Sequence, residues 1–175
     1  MNNRWSKPKY KGSLIDTCEA VKCPTFTKNN DIYFYRNYPK EKGWGEVLVS
    51  RYIRNKYSEP EKLGTSINTD HYECFPIVSP EENYLIFYRL IPEGGTGQYI
   101  SFKDENNQWT EAVNMGKNIN DGGIAFCTSL SPDKKYLFYL LRQNDRIKTE
   151  GSPRDEGIYW VNTKIIEILK QEVLK

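Results

Sequence analysis

His71 is the only histidine in the chain, and it directly follows Asp70. Imidazole titrates near neutral pH, so this pair is the clearest candidate for a general base or for binding a single metal ion. A lone histidine in a loop is more often solvated or hydrogen-bonded, and the chain has no Gly-x-Ser-x-Gly nucleophile motif. We therefore predict no catalytic residue. A hydrolase or lyase that uses His71 with nearby carboxylates stays open as an alternative.

Three carboxylates, Glu19, Glu73 and Asp121, have the chemistry to bind a hard cation, which takes several oxygen ligands. Their spacing matches no compact calcium loop, so we interpret them as surface carboxylates. A single histidine excludes sites that need paired histidines. The four cysteines are Cys18, Cys23, Cys74 and Cys127. They contain no Cys-x-x-Cys, so we predict no metal and no cofactor, and we expect buried, unbridged thiols.

The composition favours a β protein without a strong charge signature. The 175 residues (20.5 kDa) are 14% aromatic and 38% hydrophobic, which suits pleated, half-buried surfaces better than thick helical cores. The formal net charge is +2, so we predict no nucleic-acid partner. No apolar run approaches the roughly 20 residues of a membrane span, and the start of the chain lacks the apolar region of a secretory signal.

These observations predict no membrane span. As written, the chain is expected in the cytoplasm. If it is a piece of a longer exported protein, the expected compartment is the periplasm or the cell exterior.

An internal repeat is the strongest pattern in the sequence. A shift of 52 residues carries Trp5-Ser6-Lys7-Pro8 to Tyr57-Ser58-Glu59-Pro60, and a second shift of 52 leads to Trp109-Thr110-Glu111-Ala112. Further sets keep the same spacing: Gly12, Gly64 and Gly116; Ile15, Ile67 and Ile119; Cys23, Phe75 and Cys127; Thr27, Ser79 and Ser131. A fixed period of this length indicates a stacked repeat architecture.

Each repeat reads as four short strands separated by turn residues, most clearly in the second. There we predict strands near residues 72–78, 84–88, 99–102 and 112–115. Gly94-Gly95-Thr96-Gly97 lies between two of these strands, so we interpret it as a hairpin turn and not as a phosphate loop. Four antiparallel strands in a unit of this size are typical of a β-propeller blade.

Several segments resemble repeats of the TolB-like, or WD-repeat-like, six-bladed β-propeller family. Residues 131–139 read Ser-Pro-Asp-Lys-Lys-Tyr-Leu-Phe-Tyr, similar to the family's Ser-Pro-Asp-Gly-Lys-Tyr-Leu-Phe-Phe. Residues 156–161 read Glu-Gly-Ile-Tyr-Trp-Val and resemble its Asp-Ile-Tyr-Trp-Val strand. Residues 66–69 and 118–121 match its inter-blade Ile-Asn connection. The resemblance implies a propeller fold and a tendency to bind partners, and no specific reaction.

The turn residues depart from the family pattern at three places. Lys134 stands at the position of the turn glycine, Glu81-Glu82 at that of Asp-Gly, and Thr27-Lys28 at that of Ser-Pro.

The residues at which each repeat begins and ends predict the organisation of the chain. We assign 1–163 to a partial propeller and 164–175 to an amphipathic helix. Within the propeller we predict an outer strand and connection (1–17), a blade (18–64), a second blade (70–116) and an incomplete blade (122–163). In the helix, Ile165, Ile168, Leu169 and Val173 fit an apolar stripe flanked by Ile166 and Leu174, and Asn162 or Thr163 is expected to cap it.

Three blades cannot close a ring, because propellers typically have about four to eight. Two interpretations follow. The chain is half of a longer six-bladed protein, or two copies form a strand-swapped homodimer in which each gives its first strand to the other's last blade.

Propellers usually bind ligands at the mouth of the central channel, on the loops that lead into the innermost strands. The residues that we place there are Glu19, Asp70, His71, Tyr72, Glu73 and Asp121. Trp44 joins them as a contact residue because, unlike Tyr57 and Trp109, it does not recur with the repeat. We predict a non-catalytic scaffold that binds a protein, a peptide or a glycan. A lectin-like sugar binder that stacks on Trp44 is a further alternative.

Arg36, Arg89 and Arg142 each follow the second strand of a repeat and could together bind an anion. Such residues more often pair with acids or cover aromatic rings, which is the interpretation we prefer. Tyr57 and Trp109 are expected to pack between blades.

Overall fold

The computed structural model describes residues 5–8, 20–37, 45–120, 123–143 and 156–175. These ranges form antiparallel sheets followed by a short helix, which confirms the prediction of an all-β protein with a C-terminal helix. Three main sheets succeed one another along the chain. The number of blades and the predicted ranges 1–163, 18–64, 70–116 and 122–163 stay predictions.

The first sheet is built from the first third of the described chain. It contains β1 (Ala20–Phe26), β2 (Ile32–Asn37) and β3 (Glu46–Ser50); a small hairpin of β4 (Tyr52–Ile53) and β5 (Lys56–Tyr57) then leads to β6 (Glu61–Lys62). The strand order is β1-β2-β3-β6. Phe34 and Leu48 are buried partners across β2 and β3, so the middle of this sheet is apolar.

The second sheet repeats the same order. Its strands are β7 (Tyr72–Val78), β8 (Tyr84–Leu90), β9 (Gly97–Phe102) and β10 (Val113–Asn114), and a single helical turn, α1 (Lys117–Asn120), follows. All four predicted strand positions are confirmed. Gly94 and Gly95 lie in the turn between β8 and β9, as predicted. The run from Leu85 to Tyr88 is buried residue after residue, because β8 is covered on both of its faces.

The third sheet has three strands within the described residues. They are β11 (Gly123–Leu130), β12 (Tyr136–Gln143) and β13 (Glu156–Asn162), in that order, and helix α2 (Lys164–Val173) follows. The backbone N–H of Lys164 donates to Oδ1 of Asn162 at 2.9 Å, so Asn162 supplies the cap, while Thr163 makes no side-chain cap hydrogen bond.

Helix α2 packs through a different set of residues from the one predicted. Ile166 and Leu169 are buried, and Ile165 and Val173 pack beside them, whereas Ile168 is 52% exposed. The stripe prediction was therefore wrong at Ile168. The helix begins immediately after β13, and this fixes its rotation so that Ile166 faces the sheets.

The core lies between neighbouring sheets. One cluster joins the second sheet, the third sheet and α2 through Ile100, Met115, Leu137 and Ile166. A second cluster joins the first and second sheets, and Trp109 packs against it with its ring edge-on to Tyr33 at 6.3 Å. Tyr57 packs against the apolar middle of the first sheet. The expectation that Trp109 packs between repeats is confirmed, and full burial of each large side chain contributes about 1.5–3 kcal/mol.

The turns that depart from the family pattern keep a common backbone. Asn30, Glu82 and Lys134, which occupy the same place in successive repeats, have φ values of 68°, 58° and 58°. Glycine adopts this left-handed conformation without strain, and Lys134 adopts it at the position where the family has glycine. The hydroxyls of Thr27, Ser79 and Ser131 accept backbone N–H groups in these turns and stabilise them.

The described part of residues 1–17 is 5–8, where the backbone forms no strand and Trp5 is fully exposed. The rest of the predicted outer strand and connection lies outside the described residues. Within the described ranges, no helix is both long enough and apolar enough to cross a bilayer.

Candidate functional site

The structure brings three of the predicted site residues to one cavity. This cavity, which we call the mouth pocket, has a volume of about 220 Å³. It is lined by Asp70, His71, Tyr72, Leu90, Pro92 and Glu93. Glu19, Trp44 and Asp121 lie outside the described residues, so their predicted roles stay predictions.

Strand register explains why these residues meet. Tyr72 begins β7 and pairs with Leu90 at the end of β8, so the loop before β7 lies beside the turn after β8. That turn is held by Thr96, whose hydroxyl accepts the backbone N–H of Ile91 and donates to its carbonyl, both at 2.8 Å. Pro92 and Glu93 are thereby fixed next to His71.

Tyr72 forms one wall of the mouth pocket and is held on two sides. Its hydroxyl donates to Oδ1 of Asn37 at 2.6 Å, and a methyl group at Gly45 would lie 2.7 Å from Cε2 of its ring. Burial raises the pKa of Tyr72 above its ordinary value. Residue 45 must therefore be glycine for the tyrosine ring to occupy this place.

Glu73 was expected to be a surface carboxylate at the mouth, and that interpretation was wrong, because its side chain is fully buried. Successive residues of a strand point to opposite faces, so Glu73 points away from the side occupied by Tyr72. Its Oε1 accepts from Nε of Arg89 at 2.9 Å and from the hydroxyl of Thr69 at 2.6 Å. Burial raises the pKa of Glu73, with Thr69 and Arg89 opposing that effect.

Glu73 also positions the rim of the pocket. The hydroxyl that donates to its carboxylate, that of Thr69, accepts the backbone N–H of His71 at 3.3 Å. A second anchor comes from Arg89, whose Nη2 donates to the carbonyl of Ile67 at 2.9 Å. The buried ion pair thus fixes the loop that carries His71.

The three repeated arginines do not gather into an anion site. Arg89 pairs with Glu73 and lies over the ring of Tyr99 at 4.6 Å. Arg36 lies 4.0 Å from Glu46, and Arg142 lies over the ring of Phe126 at 5.6 Å. The interpretation that they pair with acids or cover aromatic rings is confirmed.

The mouth pocket is acidic. Asp70 and Glu93 lie on its rim, Leu90 and Pro92 supply apolar surface, and none of its six lining residues is lysine or arginine. Such a pocket favours a ligand that combines an apolar group with a cationic or N–H donor group. Among the described residues, no group of three or more His, Cys, Asp or Glu side chains could hold a metal ion.

A second cavity lies further along β7, the strand that begins with Tyr72. The site prediction from the sequence missed it. It has a volume of about 280 Å³ and is lined by residues 23–25, residues 75–77 and Thr128. We call it the bulge pocket. The signal that could have found it is the repeated position of Cys23, Phe75 and Cys127.

The bulge pocket forms where the first strand of each sheet carries an extra residue. The register shifts between Lys22 and Thr25 in β1, between Cys74 and Ile77 in β7, and between Phe126 and Ser129 in β11. Cys23 and Phe75 have φ values of 51° and 52° at these bulges. Bulges re-aim side chains and often occur beside functional sites. The bulge leaves Cys23 exposed, so the prediction of a buried thiol was wrong there, whereas Cys74 is buried as expected.

Comparison with solved structures supports the fold. The chain is similar to the crystal structure of TolB from Acinetobacter baumannii, with 14% sequence identity and a TM-score of 0.52. The match covers 81% of this chain and 30% of that chain, so the present sequence spans less than a third of that TolB chain. No protein-family model and no curated protein matches the sequence. At this identity the likeness shows a TolB-like β-propeller fold alone.

Proposed function

We propose that the chain is a non-catalytic binding module that takes up a segment of a protein partner at the mouth pocket. The observation that carries the proposal is the combination of an acidic rim, at Asp70 and Glu93, with apolar surface at Leu90 and Pro92. A volume of about 220 Å³ suits one or two side chains better than a whole small-molecule substrate, for which pockets of about 300–1,000 Å³ are usual.

The preformed geometry also supports this function. Tyr72 is fixed by Asn37 and Gly45, and the loop of His71 is fixed through Thr69 and the Glu73–Arg89 pair. A rigid site lowers the entropy cost of binding. The nearest buried carboxylate, Glu73, is engaged by Arg89 and Thr69, and this arrangement favours a positioning role over acid–base chemistry with His71.

A peptide selection tests the proposal. Random 12-residue peptides displayed on phage are selected on the immobilised chain, and the best peptide, which we call the selected peptide, is measured by fluorescence polarisation. We expect it to carry lysine or arginine beside an apolar residue, and we expect Asp70→Asn combined with Glu93→Gln to weaken its binding roughly tenfold or more. Glu105→Gln, in an exposed turn, is the control and should bind like the parent chain.

Two results would contradict the proposal. One is unchanged affinity in the double variant. The other is a selected peptide whose binding is insensitive both to the mouth-pocket variants and to salt. The alternative hydrolase or lyase would instead show turnover that disappears in His71→Ala while the fold is kept.

We also propose that the third sheet pairs with the first strand of a second copy. The first and second sheets have four strands, whereas the third has three within the described residues. Ile158 is 80% exposed and Trp160 is 61% exposed on its last strand, β13. The repeat assigns the missing outer strand to residues 1–17, because Trp5 corresponds to Tyr57 and Trp109. A glycan role rests on Trp44, outside the described residues, and stays a prediction.

Light scattering on a sizing column tests the pairing. We expect a species of about twice the 20.5 kDa chain mass, which Ile158→Lys weakens and deletion of residues 1–17 dissociates. A stable monomer at every concentration would contradict the homodimer.

A further inference from the structure

We propose that the cationic group taken up at the mouth pocket is the guanidinium of an arginine, in preference to the ammonium group of a lysine. This inference rests on the function proposed above and names the residue that the partner's segment carries. Its basis is a combination of groups, a tyrosine ring with carboxylates, that lines the mouth pocket and that the chain also uses to hold two of its own arginines.

The first of these arginines is Arg89, which is buried. Its guanidinium carbon lies 4.6 Å from the centre of the Tyr99 ring. Its Nε donates to Oε1 of Glu73 at 2.9 Å, and its Nη2 donates to the carbonyl of Ile67 at 2.9 Å. One guanidinium thus contacts an aromatic ring and donates several hydrogen bonds at the same time.

The second is Arg51, which is partly open to solvent because 30% of its side chain is exposed. Its guanidinium carbon lies 5.8 Å from the centre of the Tyr33 ring. Its Nη1 donates to Oδ2 of Asp31 at 2.9 Å and to Oε1 of Glu82 at 2.6 Å. A tyrosine ring with two carboxylates therefore holds an arginine also at a partly exposed place in this fold.

The mouth pocket presents the same groups to a ligand. Tyr72 forms one wall, and its ring is fixed by the hydrogen bond to Asn37 and by the close approach of Gly45. Asp70 and Glu93 supply two carboxylates, and no arginine or lysine is among the six described residues that line the pocket. The cation that completes this arrangement therefore comes from the ligand.

Arginine suits this arrangement better than lysine for a geometric reason. A guanidinium is planar, stacks on aromatic rings and carries its N–H donors in a fork that matches carboxylates. An ammonium group is a compact, strongly hydrated charge without such a plane. The difference is visible at Lys103, whose Nζ lies 4.4 Å from the centre of the Trp109 ring and donates to a backbone carbonyl, that of Asn107.

The selected peptide, synthesised in three forms, tests the inference by fluorescence polarisation. Its cationic position carries arginine, lysine or citrulline, the last of which keeps a planar N–H group but has no charge. We expect the arginine form to bind the parent chain roughly five to ten times more tightly than the lysine form, because it adds a ring contact and a second N–H donor. The citrulline form should bind about tenfold more weakly than the arginine form, because it makes no ion pair with Asp70 or Glu93.

Two variants of the chain test the role of the ring. Tyr72→Leu removes the ring and should reduce the preference for arginine over lysine to roughly twofold or less. Tyr72→Phe is the matched control, since it keeps the ring and loses only the hydroxyl that donates to Asn37, and it should retain the preference. The peptide forms are compared on each variant, so a general loss of affinity cancels from their ratio.

Equal affinity of the arginine and lysine forms for the parent chain would overturn the inference, and this comparison needs no variant. A preference that persists in Tyr72→Leu, or a citrulline form that binds like the arginine form, would overturn it too. Failure of the proposed function has a different signature, namely unchanged affinity of the selected peptide in Asp70→Asn with Glu93→Gln. If that double variant weakens binding and the arginine and lysine forms bind equally, only the arginine inference fails.

Discussion

The mouth pocket and the bulge pocket lie a few residues apart on β7, yet they are built by different means. At the mouth, charges and hydrogen bonds hold the walls: Glu73 pairs with Arg89, and Tyr72 donates to Asn37. In the bulge pocket, backbone irregularities in three strands aim proline, phenylalanine and threonine at one cavity. Side-chain electrostatics therefore position the first site, and main-chain geometry positions the second.

This difference predicts that the two pockets respond to different substitutions. Loss of a buried charge should damage the mouth and the whole sheet, because an unpaired buried ion is costly. Changes in side-chain shape should affect each pocket locally. The predictions below use this difference, in order of decreasing effect.

The largest effect is expected from Arg89→Met. It leaves the fully buried carboxylate of Glu73 without its cation and removes the donor to the carbonyl of Ile67. Breaking such a pair typically costs about 3–5 kcal/mol, so urea denaturation should show a loss of that order. Arg142→Met removes the exposed arginine near the end of β12, and should cost about 0.5 kcal/mol or less. Equal losses in the two variants would refute the structural role given to Arg89.

Gly45→Ala should have an intermediate effect that is centred on the mouth. The new methyl group would lie 2.7 Å from the ring of Tyr72 and 3.1 Å from the carbonyl oxygen of Glu73. We expect a loss of roughly 1–3 kcal/mol in the free energy of unfolding, together with weaker binding of the selected peptide. Gly64→Ala is the matched control, since nothing lies within 4 Å of a methyl group there. Intact peptide binding in Gly45→Ala would show that the position of Tyr72 is unimportant.

Thr128→Val should change stability in the opposite direction. It replaces a buried hydroxyl that has no hydrogen-bond partner by a methyl group of similar size. We expect the free energy of unfolding to rise by about 1 kcal/mol, as judged from urea melts. Thr25→Val, in the same pocket but only half-buried, should change it by less. A clear loss of stability in Thr128→Val would mean that the hydroxyl is satisfied within the fold.

The smallest effect concerns the pH dependence contributed by Glu73. Burial raises its folded-state pKa above the ordinary carboxyl value, so the folded state favours the protonated form. The contribution of this group to stability is therefore fully present below the unfolded-state pKa and is lost as pH rises through the folded-state pKa. Urea melts between pH 4 and 8 should show the parent chain's advantage over Glu73→Gln shrinking as pH rises. An advantage that grows with pH would reverse the assigned direction, and Glu105→Gln serves as the exposed control.

Much of the fold could be predicted from the sequence because its signals are local. The period of 52 residues and the turn residues placed the strands of the second sheet where the structure has them. Helix α2 was predicted as an element, but Ile168 was assigned to the wrong face. Helix α2 contains five apolar residues, and these allow more than one apolar stripe along its surface. The packing of the helix against the sheets decides which of these stripes is buried.

The site was predictable only where it is contiguous in sequence. Asp70, His71 and Tyr72 are neighbours in the chain, whereas Leu90 and Pro92 join them through strand register. The burial of Glu73 depends on Arg89, 16 residues away in the sequence, and so could not be read from its own neighbourhood. The bulge pocket needs three strands from three repeats, so only the recurrence of positions 23, 75 and 127 pointed toward it.

The most direct test of the account is a map of backbone amide NMR shifts during titration with the selected peptide. The central claim is that the mouth pocket binds the peptide, while the bulge pocket, further along β7, is separate from that site. The titration should shift the amides of residues 70–72, Leu90 and Glu93 and leave those of Phe75, Ile77 and Thr128 unchanged. If the second set moves together with the first, or if the first set does not move, this claim is contradicted.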